Sequence, residues 1–171
     1  FEGYAGGSVI ENNVITGART GILIIDGYEQ NNIFTEGDIV IRGNRTHECL
    51  NGFFLYKNKY NQDPNRLNIL LEENSFIREC GVTAKIEGRD ESSYGIRLFP
   101  RTSGVTLRGN AVSGCKYGVF VSSPAEEIVV EDNVVQNTTY GISRKRNEHP
   151  QIGLQTKNNT FIHVKTQEKE W

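Results

Sequence analysis

An asparagine separates two short apolar segments six times along the chain, at Asn13, Asn44, Asn74, Asn110, Asn133 and Asn159, at intervals of 31, 30, 36, 23 and 26 residues. A unit of this length cannot bury an apolar face alone and must stack on its neighbours, so the period constrains the fold more than any local propensity does. The shortest interval, 23 residues, cannot hold a strand, a crossover helix and a second strand, which need about 30, nor a propeller blade of about 40. Three short strands per turn of a solenoid do fit.

Aligned on the asparagines, the preceding segments read Ser8-Val9-Ile10, Ile39-Val40-Ile41, Ile69-Leu70-Leu71, Val105-Thr106-Leu107, Ile128-Val129-Val130 and Leu154-Gln155-Thr156. Their first and third residues are predicted to point inward, because successive strand side chains alternate between faces. Two residues after the asparagine a further inward column is expected: Ile15, Thr46, Phe76, Val112, Val135 and Phe161. Gly21, Gly52, Gly118 and Gly141 follow their asparagines by eight residues and open a third strand. In the remaining coil Tyr94-Gly95 matches Tyr117-Gly118 and Tyr140-Gly141, leaving 82–93 as an insertion, with Gly81-Val82 as the competing register. β-Branched residues alternating with polar ones, and Gly, Asn or Ser at the corners, predict strands throughout.

This pattern resembles the right-handed parallel β-helix, or pectate-lyase-like, superfamily. The resemblance implies an all-β, single-stranded solenoid of about six coils, three short strands per coil, with an asparagine ladder, spanning 1–171 as one domain. An amide both donates and accepts, so a column of asparagines at a spacing of about 4.8 Å can hydrogen-bond itself end to end. Two residues before each ladder position stand Glu11, Arg42, Glu72, Arg108, Glu131 and Lys157, alternating in sign. Opposite charges on neighbouring strands fix register, so this row reads as scaffold.

Nineteen Lys and Arg against 21 Asp and Glu leave no basic excess for nucleic acid, and no apolar run approaches the about 18 residues of a membrane span. Cys49, Cys80 and Cys115 match neither a disulfide framework nor a zinc pattern and read as buried thiols. A solenoid end exposes a cross-section of core, and neither 1–7 nor 165–171 supplies an amphipathic cap. The chain is therefore expected to continue in a longer β-helix protein or to be closed by another subunit, with a homo-trimer as one arrangement.

The strand after each glycine carries the candidate site. With Ile22, Ile24, Phe53, Leu55, Ile96, Leu98, Val119 and Val121 inward, alternation leaves two outward rows. One is Leu23, Phe54, Arg97, Phe120 and Ser143; the other is Ile25, Tyr56, Phe99, Ser122 and Lys145. An apolar, aromatic face of this extent marks binding or assembly. In the superfamily resembled, polysaccharide enzymes lay substrate along this sheet between loops, and 26–38, 57–67 and 82–93 are such loops here. Phe54, Tyr56, Phe99, Phe120, Tyr60 and Asp90 are the candidate sugar contacts.

Neither outward row contains the carboxylate pair that glycoside hydrolysis requires. The Asp-Asp, Gly-His-Gly and Arg-Ile-Lys motifs of polygalacturonase relatives are missing, and Arg97-Leu98-Phe99-Pro100-Arg101 does not reproduce the Arg-x-Pro-x-x-Arg signature of pectate lyases. A lyase needs a cation beside a uronate carboxylate and a base for the adjacent proton, which makes Arg97, Arg101 and Lys145 the catalytic candidates. No cofactor is expected; Asp26, Glu29 and Asp38 are the oxygen ligands a calcium ion would use. Two readings follow: a polysaccharide-binding or lyase-like protein whose partner is a carbohydrate polymer, or a structural stalk, as in a phage tailspike or adhesin, associating through its aromatic face. Either places it outside the cell, on a cell surface or on a virion.

Overall fold

The computed structural model describes residues 7–26, 37–57, 67–79, 83–86, 88–145 and 152–170. The chain winds through three parallel sheets of six strands each. The first contains Val9–Glu11, Gly37–Arg42, Leu67–Glu72, Thr102–Arg108, Ala125–Glu131 and Ile152–Lys157. The second contains the three-residue strands Val14–Thr16, Arg45–His47, Ser75–Ile77, Ala111–Ser113, Val134–Gln136 and Thr160–Ile162. The third contains Thr20–Asp26, Asn51–Lys57, Tyr94–Leu98, Tyr117–Ser122, Tyr140–Lys145 and Thr166–Glu170.

Each coil contributes one strand to each sheet, so equivalent residues stack into columns. Ile39, Ile69, Val105 and Ile128 align, as do Ile41, Leu71, Leu107 and Val130, and all eight are buried. From the second sheet Thr46, Phe76, Val112 and Val135 enter the same core. The third sheet adds Phe53, Ile96, Val119 and Ile142, then Leu55, Leu98 and Val121. The inward columns expected from alternation are thus the observed ones. Each such side chain contributes about 1.5–3 kcal/mol on burial, an upper figure for an unfolded chain that is itself partly compact.

The asparagines form the expected ladder. Asn13, Asn44, Asn74, Asn110 and Asn133 each donate from Nδ2 to Oδ1 of the next ladder residue, at 2.9, 3.0, 3.0, 2.9 and 3.0 Å. The same Oδ1 also accepts the preceding asparagine's backbone N–H, as from Asn74 to Asn110 at 3.1 Å. The second amide hydrogen goes to a carbonyl one coil back, as from Asn110 to Leu71 at 3.0 Å. Buried amides whose donors and acceptors are all used specify register, because slipping one coil would strand several polar atoms at once.

The alternating charge row behaves as the sequence predicts. Glu11 lies opposite Arg42 and pairs with it at 2.7 Å; Glu72 lies opposite Arg108 and pairs at 2.8 Å. Hydrogen bonds from these guanidinium groups to their glutamates raise the pKa values of Arg42 and Arg108 above the ordinary arginine value.

Tyr94 lies opposite Asn51 on one side and Tyr117 on the other, which fixes the Tyr94-Gly95 register. The insertion before it contains an antiparallel pair, Thr83–Ile86 with Arg89–Ser92. The glycines of the third sheet are required by close approach: a Cβ on Gly52 would lie 2.6 Å from the Gly95 carbonyl oxygen and 2.6 Å from the Phe76 ring. Cys49 and Cys115 are buried free thiols, as expected, and burial pushes the Cys115 thiol up to about 12. Cys80 lies outside the described residues.

Candidate functional site

The outer face of the third sheet carries the candidate site. Register aligns Leu23, Phe54, Arg97, Phe120 and Ser143 across five strands, and places Ile25 beside Tyr56 and Ser122 beside Lys145. Phe99 follows Leu98 and extends its strand's backbone pairing by donating its N–H to the Leu55 carbonyl at 3.0 Å. Phe54, Tyr56 and Phe99 form one aromatic group, with centroid separations of 5.9, 5.9 and 4.8 Å.

A third row completes the face. Tyr94, Tyr117 and Tyr140 stack nearly parallel at 4.9 and 5.2 Å. Phe120 meets Tyr94 and Tyr117 edge-on at 5.4 and 5.2 Å. Sequence reasoning used these tyrosines to set register and did not assign them to the face. The reason is a bend at the glycine: Gly95 faces the Val112 side chain in the core and Ile96 is also buried, so two consecutive residues point inward. Counting alternation back from Arg97 would have turned Tyr94 inward; the bend turns it outward. The recurring Tyr-Gly pair was the available signal.

Arg97 joins the two aromatic groups. Its guanidinium carbon lies 4.8 Å from the Phe54 centroid, 4.6 Å from Tyr94 and 6.0 Å from Phe99. Its Nε is buried and finds no acceptor among the described residues. The quadrupoles of the rings favour the cation but supply no acceptor for Nε. Lys116 and Lys169 sit over Tyr117 and Tyr140 at 5.4 and 5.5 Å, continuing the cationic edge. Burial, with the neighbouring phenols of Tyr94 and Tyr140 as lesser causes, raises the Tyr117 pKa. The Tyr117 hydroxyl therefore keeps its proton at physiological pH and can donate.

The other predicted residues are distributed around this centre. Lys145 is exposed at the end of Tyr140–Lys145, two strands beyond Arg97. Arg101 is exposed in the turn leaving the third sheet, at a φ of 69°, with its N–H bonded to the Pro124 carbonyl. Ser143 and Ser122, although outward in register, are almost fully covered, as short side chains between larger neighbours. The inserted pair borders the tyrosine row: Glu91 bridges to Arg19 at 2.7 Å and Ser92 accepts from Lys116 Nζ at 3.1 Å. Asp90 lies opposite Lys85 and is exposed.

Tyr60, Glu29 and the Asp26 side chain lie outside the described residues. Asp38, the third oxygen ligand in the calcium reading, accepts a hydrogen bond from Asn68 Nδ2 at 3.0 Å. On another face His47, Glu48 and Glu79 bring three ligand atoms within 4.8 Å of one another. Glu48 already accepts the Glu79 N–H at 2.6 Å, which accounts for that approach.

Stacked parallel sheets, an internal asparagine ladder and an aromatic outer face define a parallel β-helix. The chain belongs to the right-handed β-helix family, whose model, described as a right handed beta helix region, matches residues 2–167. Comparison with curated proteins and with solved structures gives no match.

Proposed function

We propose that the outer face of the third sheet binds a carbohydrate polymer laid along the solenoid axis. The observation that carries this reading is Arg97, held between Phe54 and Tyr94 with a buried Nε that no described residue satisfies. Aromatic rings present flat apolar surface to the C–H faces of a sugar, while the guanidinium offers paired donors to a hydroxyl or carboxylate. The tyrosine hydroxyls add donors and acceptors along the same face. In a lyase reading, Arg97 neutralises a uronate carboxylate, and Lys145 or Arg101, in its deprotonated form, takes the adjacent proton as the glycosidic C–O bond breaks and water protonates the leaving oxygen. Of these three, Arg97 alone stands within the aromatic groups, so binding is the better-supported half of the reading.

Titration with acidic and with neutral oligosaccharides, followed by tyrosine fluorescence and calorimetry, tests the proposal. Saturable binding that weakens about tenfold in Phe120→Ala, as expected for loss of one stacking ring, supports it. Absence of binding by either sugar class would overturn it.

A further inference from the structure

The outer face of the first sheet carries a different pattern, with a consequence for assembly. Glu11, Arg42, Glu72, Arg108, Glu131 and Lys157 occupy one register position on its six strands. Within the chain, Glu11 pairs with Arg42 and Glu72 with Arg108. An alternating row with an even number of members is also its own complement when reversed. Suppose a second copy lies face to face on this sheet, solenoid axes antiparallel and strands running the same way. Glu11 of either copy then meets Lys157 of the other, Arg42 meets Glu131, and Glu72 meets Arg108, each pair made twice by the two-fold axis.

Beside the charges runs a half-buried row, Val40, Leu70, Thr106 and Val129, which forms the floor of a shallow trough. The same symmetry lays this row against its reversed copy. We infer that the chain self-associates through this face as an antiparallel two-fold dimer.

The parallel alternative is worse. It sets the charge row against the row on the other side of the trough, giving one opposite pair, Arg42 with Asp38, and one like pair, Glu131 with Glu127, against three opposite pairs and one like pair in the antiparallel arrangement. The antiparallel dimer has one like-charged contact, Asp38 with Glu127 of the other copy, outnumbered by three opposite pairs. A single sheet face is small beside the about 1,200–2,000 Å² of a stable interface. The dimer is therefore weak, dependent on concentration and weakened by salt.

Sedimentation equilibrium of the 171-residue chain at about 0.1 M and about 1 M salt, with circular dichroism to confirm folding, tests this. Reversible dimerisation that fades at high salt is expected. Glu11→Lys or Lys157→Glu alone sets like charges together at both ends and weakens association about tenfold. The double variant Glu11→Lys/Lys157→Glu restores it. Residues 11 and 157 sit on the first and last strands of the sheet, so no contact within one chain can supply that rescue. Glu127→Lys removes the like-charged contact and tightens the dimer. A monomer at every concentration, a double variant without rescue, or a dimer lost in Phe120→Ala but kept in Glu11→Lys would each overturn the inference.

Discussion

The asparagine ladder and the aromatic face belong to the same coils and treat polar groups in opposite ways. In the ladder, Asn110 donates from both amide hydrogens and its backbone N–H, and its Oδ1 accepts from Asn74. On the aromatic face, Arg97 holds a cation among rings with an Nε that finds no acceptor among the described residues. A satisfied buried network rigidifies and specifies a fold, whereas an unused donor in an apolar setting is costly unless something outside the chain completes it. The first arrangement fits a scaffold and the second a binding surface.

Substitutions can break this contrast from either side. Asn110→Ala should have the largest effect, because it strands the Asn74 amide and backbone donors together with carbonyl acceptors inside a packed turn. At about 1–3 kcal/mol per unsatisfied group, a loss of about 3 kcal/mol or more is expected in urea unfolding, without any direct change at the aromatic face. Arg97→Met should do the reverse. The thioether replaces the guanidinium's contact with the rings, so stability should change by less than about 1 kcal/mol, while binding of acidic oligosaccharides is lost. If Arg97→Met destabilised the fold as much as Asn110→Ala, Arg97 would belong with the scaffold.

The smallest effect concerns pH. The folded-state pKa of Tyr117 is raised, first by burial and then by its phenol neighbours. Its contribution is fully present below the unfolded tyrosine value of about 10 and is lost as pH rises through the folded value. Stability measured by urea unfolding should fall across that alkaline window, and Tyr117→Phe should flatten the fall. An unchanged profile in Tyr117→Phe would place the alkaline transition elsewhere.

Much of this scaffold was legible in the chain because a solenoid turns periodicity into position. Once Asn44, Asn74 and Asn110 were aligned, Ile41, Leu71 and Leu107 had to share a column, and Glu11 had to meet Arg42. Phe54, Arg97 and Phe120 were legible as an outward row for the same reason. The Tyr94, Tyr117 and Tyr140 stack was not. Its direction depends on a backbone bend at glycine, where alternation fails and neither composition nor spacing records which way the preceding side chain turns.

The sequence by itself determined the coil period, the inward columns, the ladder and the alternating charge row, since each follows from one residue type recurring at one register. The tertiary structure decided how far the aromatic rings gather, that Arg97 lies between Phe54 and Tyr94, and that Glu91 and Ser92 tie the insertion to the edge of the face. Those depend on side-chain direction and on contacts between residues as far apart as Arg19 and Glu91, 72 positions along the chain. Only the folded backbone brings such residues together.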